Sequence, residues 1–368
     1  TSDIRHYVAE DRAYVSYELA VKNEAFDYDG VGNRKADALR TGYRYDDANR
    51  LWEDSQYTYA HDDNGNQTAA TGKLSHQTTT YAYDAENQLV RVGLPDGTVA
   101  RYKYDGQGRR IEKSTGTLPS QITHYIYDNE DILAMLDGSN NLIAVFTHGP
   151  GIDEPLSMRK PSGEEYFMHA DELGSIVAHT DRQGNVVERI TYEAYGKPAF
   201  VDAQAPHNLT AQSFTGSQHA FTAREFDLEI ELYYYRARYY DPTAGRYFSE
   251  DISDGFLDQP MSFHKYIYIG DNPISGTDPM GAMLGIPSEK EIIKGLTEAI
   301  EKQFPKVFTP KELDTIARKV RENTTLYELI KLKNEKDLEK SKKKLEEIFG
   351  RIQKKIKEKG TPEEKALL

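Results

Sequence analysis

Through most of the chain, aromatic residues stand at i and i+2 in short stretches: Tyr57-Thr58-Tyr59, Tyr81-Ala82-Tyr83, Tyr102-Lys103-Tyr104. That period places them on one face of a strand. Each stretch then runs into Asp, Gly and Asn, as in Tyr28-Asp29-Gly30-Val31-Gly32-Asn33, Tyr45-Asp46-Asp47-Ala48-Asn49, Tyr83-Asp84-Ala85-Glu86-Asn87, Tyr104-Asp105-Gly106-Gln107-Gly108 and Tyr127-Asp128-Asn129-Glu130. These clusters are turn chemistry, so the unit is strand, tight turn, strand. The tyrosines of successive Tyr-Asp pairs lie 17, 38, 21 and 23 residues apart, and a degenerate unit from Tyr59 to Asn66 sits in the long gap. An imperfect repeat of this length predicts a stacked array of antiparallel hairpins. The Tyr-Asp pairs are read as architectural, with carbohydrate binding by exposed tyrosines as the alternative.

After Gly281 the pattern changes to helix. Four start signals place a Ser or Thr three residues before a Glu: Ser288 with Glu291, Thr309 with Glu312, Thr325 with Glu328, and Thr361 with Glu364. Leu338, Leu345, Ile348, Phe349, Ile352 and Ile356 fall on one helical stripe. The expectation is a small all-α domain over 282–368 that packs its own stripe, against a membrane-active or partner-binding helix as the other use of such a face.

Charge divides the chain at the same place. The net charge of −14 over 368 residues hides 21 Lys and Arg against 16 Asp and Glu from Ala282 onward, +5, and 25 against 44 before it, −19. All 10 His and 25 of the 26 Tyr precede the boundary. An acidic body argues against nucleic-acid binding by residues 1–281, while the cationic tail leaves contact with nucleic acid or anionic lipid open. With no Cys there is no disulfide frame and no thiolate metal site. The tail has neither His nor Cys, which excludes His-based nuclease, zinc-deaminase and Cys-protease chemistry there. No apolar run of about 18 residues and no signal peptide is present. Thr1 opens inside patterned sequence, so targeting information is expected upstream.

The segment Phe221-Thr222-Ala223-Arg224-Glu225-Phe226-Asp227, followed by Leu232-Tyr233-Tyr234-Tyr235-Arg236-Ala237-Arg238-Tyr239-Tyr240-Asp241-Pro242 and Gly245-Arg246-Tyr247, closely resembles the RHS-repeat-associated core domain of RHS/YD-repeat proteins. The match continues in order through Ser249-Glu250-Asp251, His264-Lys265-Tyr266-Ile267-Tyr268, Asp271-Asn272-Pro273 and Asp278-Pro279-Met280-Gly281, and His169 to Ser175 is similar to the family's HxDxLGS element. It covers roughly residues 20 to 281 and none of the tail. The resemblance implies a YD-repeat ribbon or partial spiral shell around the protein's own C-terminal effector. The family's life as an exported or cell-surface polymorphic toxin of interbacterial competition would follow. Its partners would be the tail as cargo, an immunity protein encoded beside it, and a secretion apparatus or upstream shell portion.

The resemblance also implies an aspartate autoprotease at the end of the core, with Asp251, Asp278 and Arg238 as its site and Ala282–Met283 as the scissile bond. Two carboxylates held together cannot both ionise easily, so one can stay protonated against the carbonyl while the other activates water. An Arg beside them would hold one charged or stabilise the oxyanion. Ala282 stands where relatives have Leu, and Ile252 where Pro is common, so Met283–Leu284 and Leu284–Gly285 stay open as cut sites. The competing reading makes Asp251 and Asp278 turn carboxylates and Arg238 their ion-pair partner. His169 with Asp171 is read as a hydrogen-bonded loop, not a metal site. Ser175 and Ser249 lie in no nucleophile elbow. No cofactor or metal is expected. The function expected is a self-processing scaffold that releases an effector; the alternatives are a surface adhesion or carbohydrate-binding module without proteolysis, and an unrelated helical tail fused to the core.

Overall fold

The aromatic alternation becomes strand. Tyr57–His61 and Thr78–Tyr83 alternate between half-buried and exposed positions along their length, as a ladder with one covered face requires. The computed structural model describes residues 24–203, 209–210, 212–253 and 260–282. From Arg44–Tyr45 to Leu209–Thr210 each strand pairs antiparallel with the next, and the strand order closes on itself as a barrel. A separate two-stranded hairpin, Asp27–Tyr28 with Arg34–Ala36, precedes it.

The turns explain the repeat. Asp46 Oδ1 accepts from the backbone N–H of Ala48 at 3.0 Å and of Arg50 at 2.9 Å. Asp29, Asp62, Asp84, Asp105, Asp137, Asp171 and Asp181 each take the same pair of N–H groups two and four residues on. Short polar side chains that bond their own backbone are what tight turns select. The fourth turn residue is left-handed, Asn49 at φ 61° and Gly108 at φ 81°, which is why Asn or Gly occupies it.

The tyrosines join neighbouring hairpins. Tyr83, Tyr104, Tyr127 and Tyr192 donate to the carbonyls of Gln67 (3.1 Å), Leu89 (2.6 Å), Arg110 (2.9 Å) and Ile176 (2.6 Å). Each bond reaches back about one repeat and contributes on the order of 1 kcal/mol net. The Tyr-Asp pairs at Tyr83, Tyr104 and Tyr127 are architectural, and Tyr192, followed by Glu193, makes the same bond.

The segment after Phe221 builds a second, four-stranded sheet from Glu225–Asp227, Leu232–Tyr235, Arg238–Asp241 and Arg246–Tyr247. Leu232–Tyr235 is buried throughout, a continuous apolar run because both faces are covered. Tyr233, Tyr235, Tyr240 and Tyr268 are completely buried and pack ring on ring, Tyr240 against Tyr268 at 4.7 Å between centroids. Their hydroxyls and those of their neighbours meet the turns of the ribbon: Tyr233 to Gly196 O and Tyr240 to Tyr195 O at 2.8 Å, Tyr266 to Gly65 O at 2.9 Å. Arg110 and Lys113 of the ribbon both pair with Asp227, Lys113 at 2.9 Å, and the Arg110 guanidinium lies 4.4 Å from the Tyr234 ring centre. The ribbon is thereby fixed to the core sheet by its turn ends.

Among the described residues no helix is long and apolar enough to cross a membrane. The helices expected from Ser288 onward lie outside the described residues.

Candidate functional site

The hairpin Leu232–Tyr235 to Arg238–Asp241 puts Arg238 opposite Tyr235 at the rim of the core sheet. Its guanidinium carbon stacks 3.6 Å from the centre of the Tyr247 ring, supported by the cation–π attraction of a buried face. All three nitrogens then have acceptors. Nη1 donates to Lys265 O at 2.9 Å and Nε to Gly281 O, while Nη2 donates to Asp251 Oδ2 at 2.8 Å and to Asp278 Oδ2 at 3.4 Å. The two acidic residues named from the sequence thus converge on one nitrogen of the named arginine. Side-chain exposures of 3% for Arg238, 11% for Asp251 and 0% for Asp278 put the trio largely out of water, where charge interactions are strong.

Each carboxylate is oriented by its own loop. Asp251 N–H bonds Lys265 O at 2.9 Å and Oδ1 accepts from Ser253 N at 2.8 Å, leaving Oδ2 for Arg238. Asp278 Oδ2 also accepts from the Tyr247 hydroxyl at 2.8 Å, and Oδ1 accepts from the N–H of Ala282 at 3.2 Å. Burial first, then the charge of Asp278, pushes the Tyr247 phenol well above its ordinary value, so it stays a donor. The turn from Asp278 to Gly281 is pinned by Ala237 N to Met280 O at 3.2 Å. Gly281 is left-handed at φ 61° and a Cβ there would overlap the Tyr235 carbonyl, so this element needs glycine.

The peptide joining Gly281 to Ala282 is therefore held at both ends, its oxygen by Arg238 and its N–H by Asp278. It immediately precedes the expected scissile bond; Met283 lies outside the described residues. A narrow cleft lined by Tyr83, Gln88, Leu89, Tyr104, Tyr239 and Ser249 reaches Arg238 from outside. Chemically the arrangement offers paired carboxyl groups, a fixed cation and a positioned amide, the parts needed for water addition to a carbonyl.

The other candidates have structural partners. His169 Nε2 lies 2.9 Å from Thr180 Oγ1, Asp171 caps its turn, and buried Ser175 Oγ accepts from Thr222 N at 3.1 Å. Among the described residues no group of three or more His, Asp or Glu is arranged to hold a metal ion. Sequence reasoning missed Tyr247, although it stands in the matched Gly245-Arg246-Tyr247 element, and it missed Asp153, Arg224 and Arg236, which surround Pro279.

The family model described as the Teneurin YD-shell matches residues 6–274. The chain belongs to this RHS/YD-repeat family. The match ends just short of Asp278. The chain is 31% identical over 267 residues to the tRNA nuclease WapA of Bacillus subtilis, covering 70% of this chain and 11% of that protein. It is 25% identical over 291 residues to the double-stranded DNA deaminase toxin A of Burkholderia cenocepacia, covering 71% of this chain and 19% of that one. A solved structure, the TcdB2-TccC3-Cdc42 crystal structure, aligns over 70% of this chain and 17% of that chain, at 18% identity and a TM-score of 0.43. This YD-shell chain spans less than a fifth of the length of each of these relatives.

Proposed function

We propose that this chain is a self-processing YD-shell scaffold that hydrolyses its own backbone at Ala282–Met283 and so frees residues 283–368 as an effector. The observation that carries the reading is the convergence of Asp251 and Asp278 on Arg238 Nη2, with the same arginine and Asp278 gripping the adjoining peptide. A water molecule gives a proton to one carboxylate and adds to the carbonyl carbon. The partner carboxyl, in its protonated form, hydrogen-bonds the oxyanion. Collapse breaks the C–N bond, the amine leaves with a proton from the pair, and one water is consumed. Arg238 holds the two acids in register and supplies fixed positive charge.

The contacts also favour a second cut site, Gly281–Ala282, because Arg238 donates to the oxygen of that peptide. The two sites give N-terminal fragments that differ by one alanine. The names of the relatives, a tRNA nuclease and a DNA deaminase toxin, support reading the tail as a toxin; its delivery, a cognate immunity protein and export of the scaffold are proposed with that reading. The absence of His and Cys from residues 283–368 gives that tail a different chemistry from a zinc deaminase.

Intact mass under denaturing conditions tests the reading. Two fragments meeting near Ala282 are expected for the parent, and one whole chain for Asp251→Asn and Asp278→Asn. A parent of full mass that stays whole on prolonged incubation refutes self-cleavage and leaves a passive surface module.

A further inference from the structure

The carbonyl oxygen of Pro279, the residue directly after Asp278, accepts from two arginines, Arg224 Nη1 at 3.2 Å and Arg236 Nη1. The two guanidinium groups come from different parts of the core: Arg224 precedes strand Glu225–Asp227, and Arg236 sits at φ 58° in the turn between Leu232–Tyr235 and Arg238–Asp241. Like charges this close need a counter-charge between them. Asp153 provides it. Its Oδ1 lies 2.8 Å from both Arg224 Nη1 and Arg236 Nη2, and its Oδ2 lies 3.0 Å from Arg224 Nη1 and 3.2 Å from Arg236 Nη1. Side-chain exposures of 3% for Arg224, 9% for Arg236 and 11% for Asp153 make this a buried cluster.

Asp153 does not belong to the core. It lies in the ribbon, in the loop between strands Leu142–His148 and Pro155–Arg159, held at a left-handed φ of 59°, a conformation that costs a non-glycine residue unless its surroundings fix it. We infer that Asp153 is the positioning residue of the cut, the group that holds Arg224 and Arg236 on Pro279 and thereby sets Asp278 against Arg238 and Ala282. This inference rests on the self-cleavage reading. Arg224 has a second carboxylate, Glu225 at 2.9 Å, whereas the other Arg236 acceptor is the backbone oxygen of Glu130 at 3.1 Å. Loss of the Asp153 charge therefore releases Arg236 first.

The test uses the full chain made by cell-free translation, quenched with denaturant at intervals and quantified as whole and cut species over a series of pH values. Asp153→Asn is expected to melt lower than the parent, because the buried arginines lose their counter-charge, and, assayed below that melt, to cut roughly 10- to 100-fold more slowly, since a small misplacement of a reacting group has that effect. Glu225 still serves Arg224, and Asp131 and His148 also face the cluster, but the cluster gains one net positive charge, which favours ionised carboxylates, so the alkaline limb of the variant's rate profile moves to lower pH. Asp153→Glu recovers rate and profile. An Asp153→Asn chain that cuts at the parental rate overturns the inference while the cut stands, and so does a slow chain whose profile does not move and whose Glu variant is no better. A parent that never cuts overturns both. Should Asp153→Asn fail to fold, Arg236→Lys keeps the charge and loses the two-pronged contact; slowed cutting supports the clamp, and an unchanged rate overturns it.

Discussion

Asp227 is the single carboxylate between two buried cations of the ribbon, and replacing it with Asn should cost about 3–5 kcal/mol. The side-chain exposures are 0% for Asp227, 1% for Arg110 and 10% for Lys113. Asn preserves volume and one oxygen, so the cost is electrostatic rather than a cavity. The Tyr234 and Tyr125 rings, 4.4 and 5.1 Å from the Arg110 guanidinium carbon, soften it by about 1–2 kcal/mol, which places the expected loss near the lower end of that range. Glu229, 3.2 Å from Lys113 but part-exposed, compensates only that lysine. The assay is urea unfolding followed by tyrosine fluorescence and far-UV circular dichroism, with the slope against denaturant checked for constancy. Adding Arg110→Met to Asp227→Asn removes the orphaned charge and should return a good part of the loss. A loss below about 1 kcal/mol, or a double variant no more stable than the single one, refutes the argument that Asp227 fastens ribbon to core.

Two further outcomes are expected on the same reasoning. Tyr104→Phe deletes the hydroxyl that donates to Leu89 O at 2.6 Å; the expected loss is about 1–2 kcal/mol, read from the urea midpoint, and an unchanged midpoint would contradict the role given to the tyrosines. Burial raises the Asp271 carboxyl to about 7, partly opposed by Arg34 and Arg246. Because this folded value lies above that of the unfolded chain, the folded state binds the extra proton and stability falls as pH rises toward 7. Asp271→Asn should therefore match the parent near pH 4 and exceed it by about 1–2 kcal/mol near pH 8, after discounting for partial exposure; thermal melts at the two pH values check the sign.

The ribbon was legible because its physics is local. Aromatic alternation and an Asp that caps its own turn act within a few residues, so Tyr45-Asp46 and Tyr104-Asp105 announce themselves. The turns at Asp137, Asp171 and Asp181 use the same bonds, but Leu136, Ala170 and Thr180 precede them, so counting Tyr-Asp pairs passed over them. Arg238, Asp251 and Asp278 were found through motif positions, not through any local rule, since 40 residues separate Arg238 from Asp278. The Asp153 cluster had no such signal. Its partners stand 71 and 83 residues away, and only the folded chain shows which arginine a carboxylate meets.

That separation has a consequence for the order of events during synthesis. Tyr83, Tyr104, Tyr127 and Tyr192 each donate to a carbonyl already made, so the ribbon can assemble behind the ribosome, one hairpin completing the last. The cradle around Pro279 is different: it draws Asp153 from the ribbon, Arg224 and Arg236 from the core sheet, and Pro279 from the very end of the core. It can exist only when everything upstream has been laid down. A chain arranged this way fixes the end of its core last, so the order of residues along the chain sets the order in which the fold is locked.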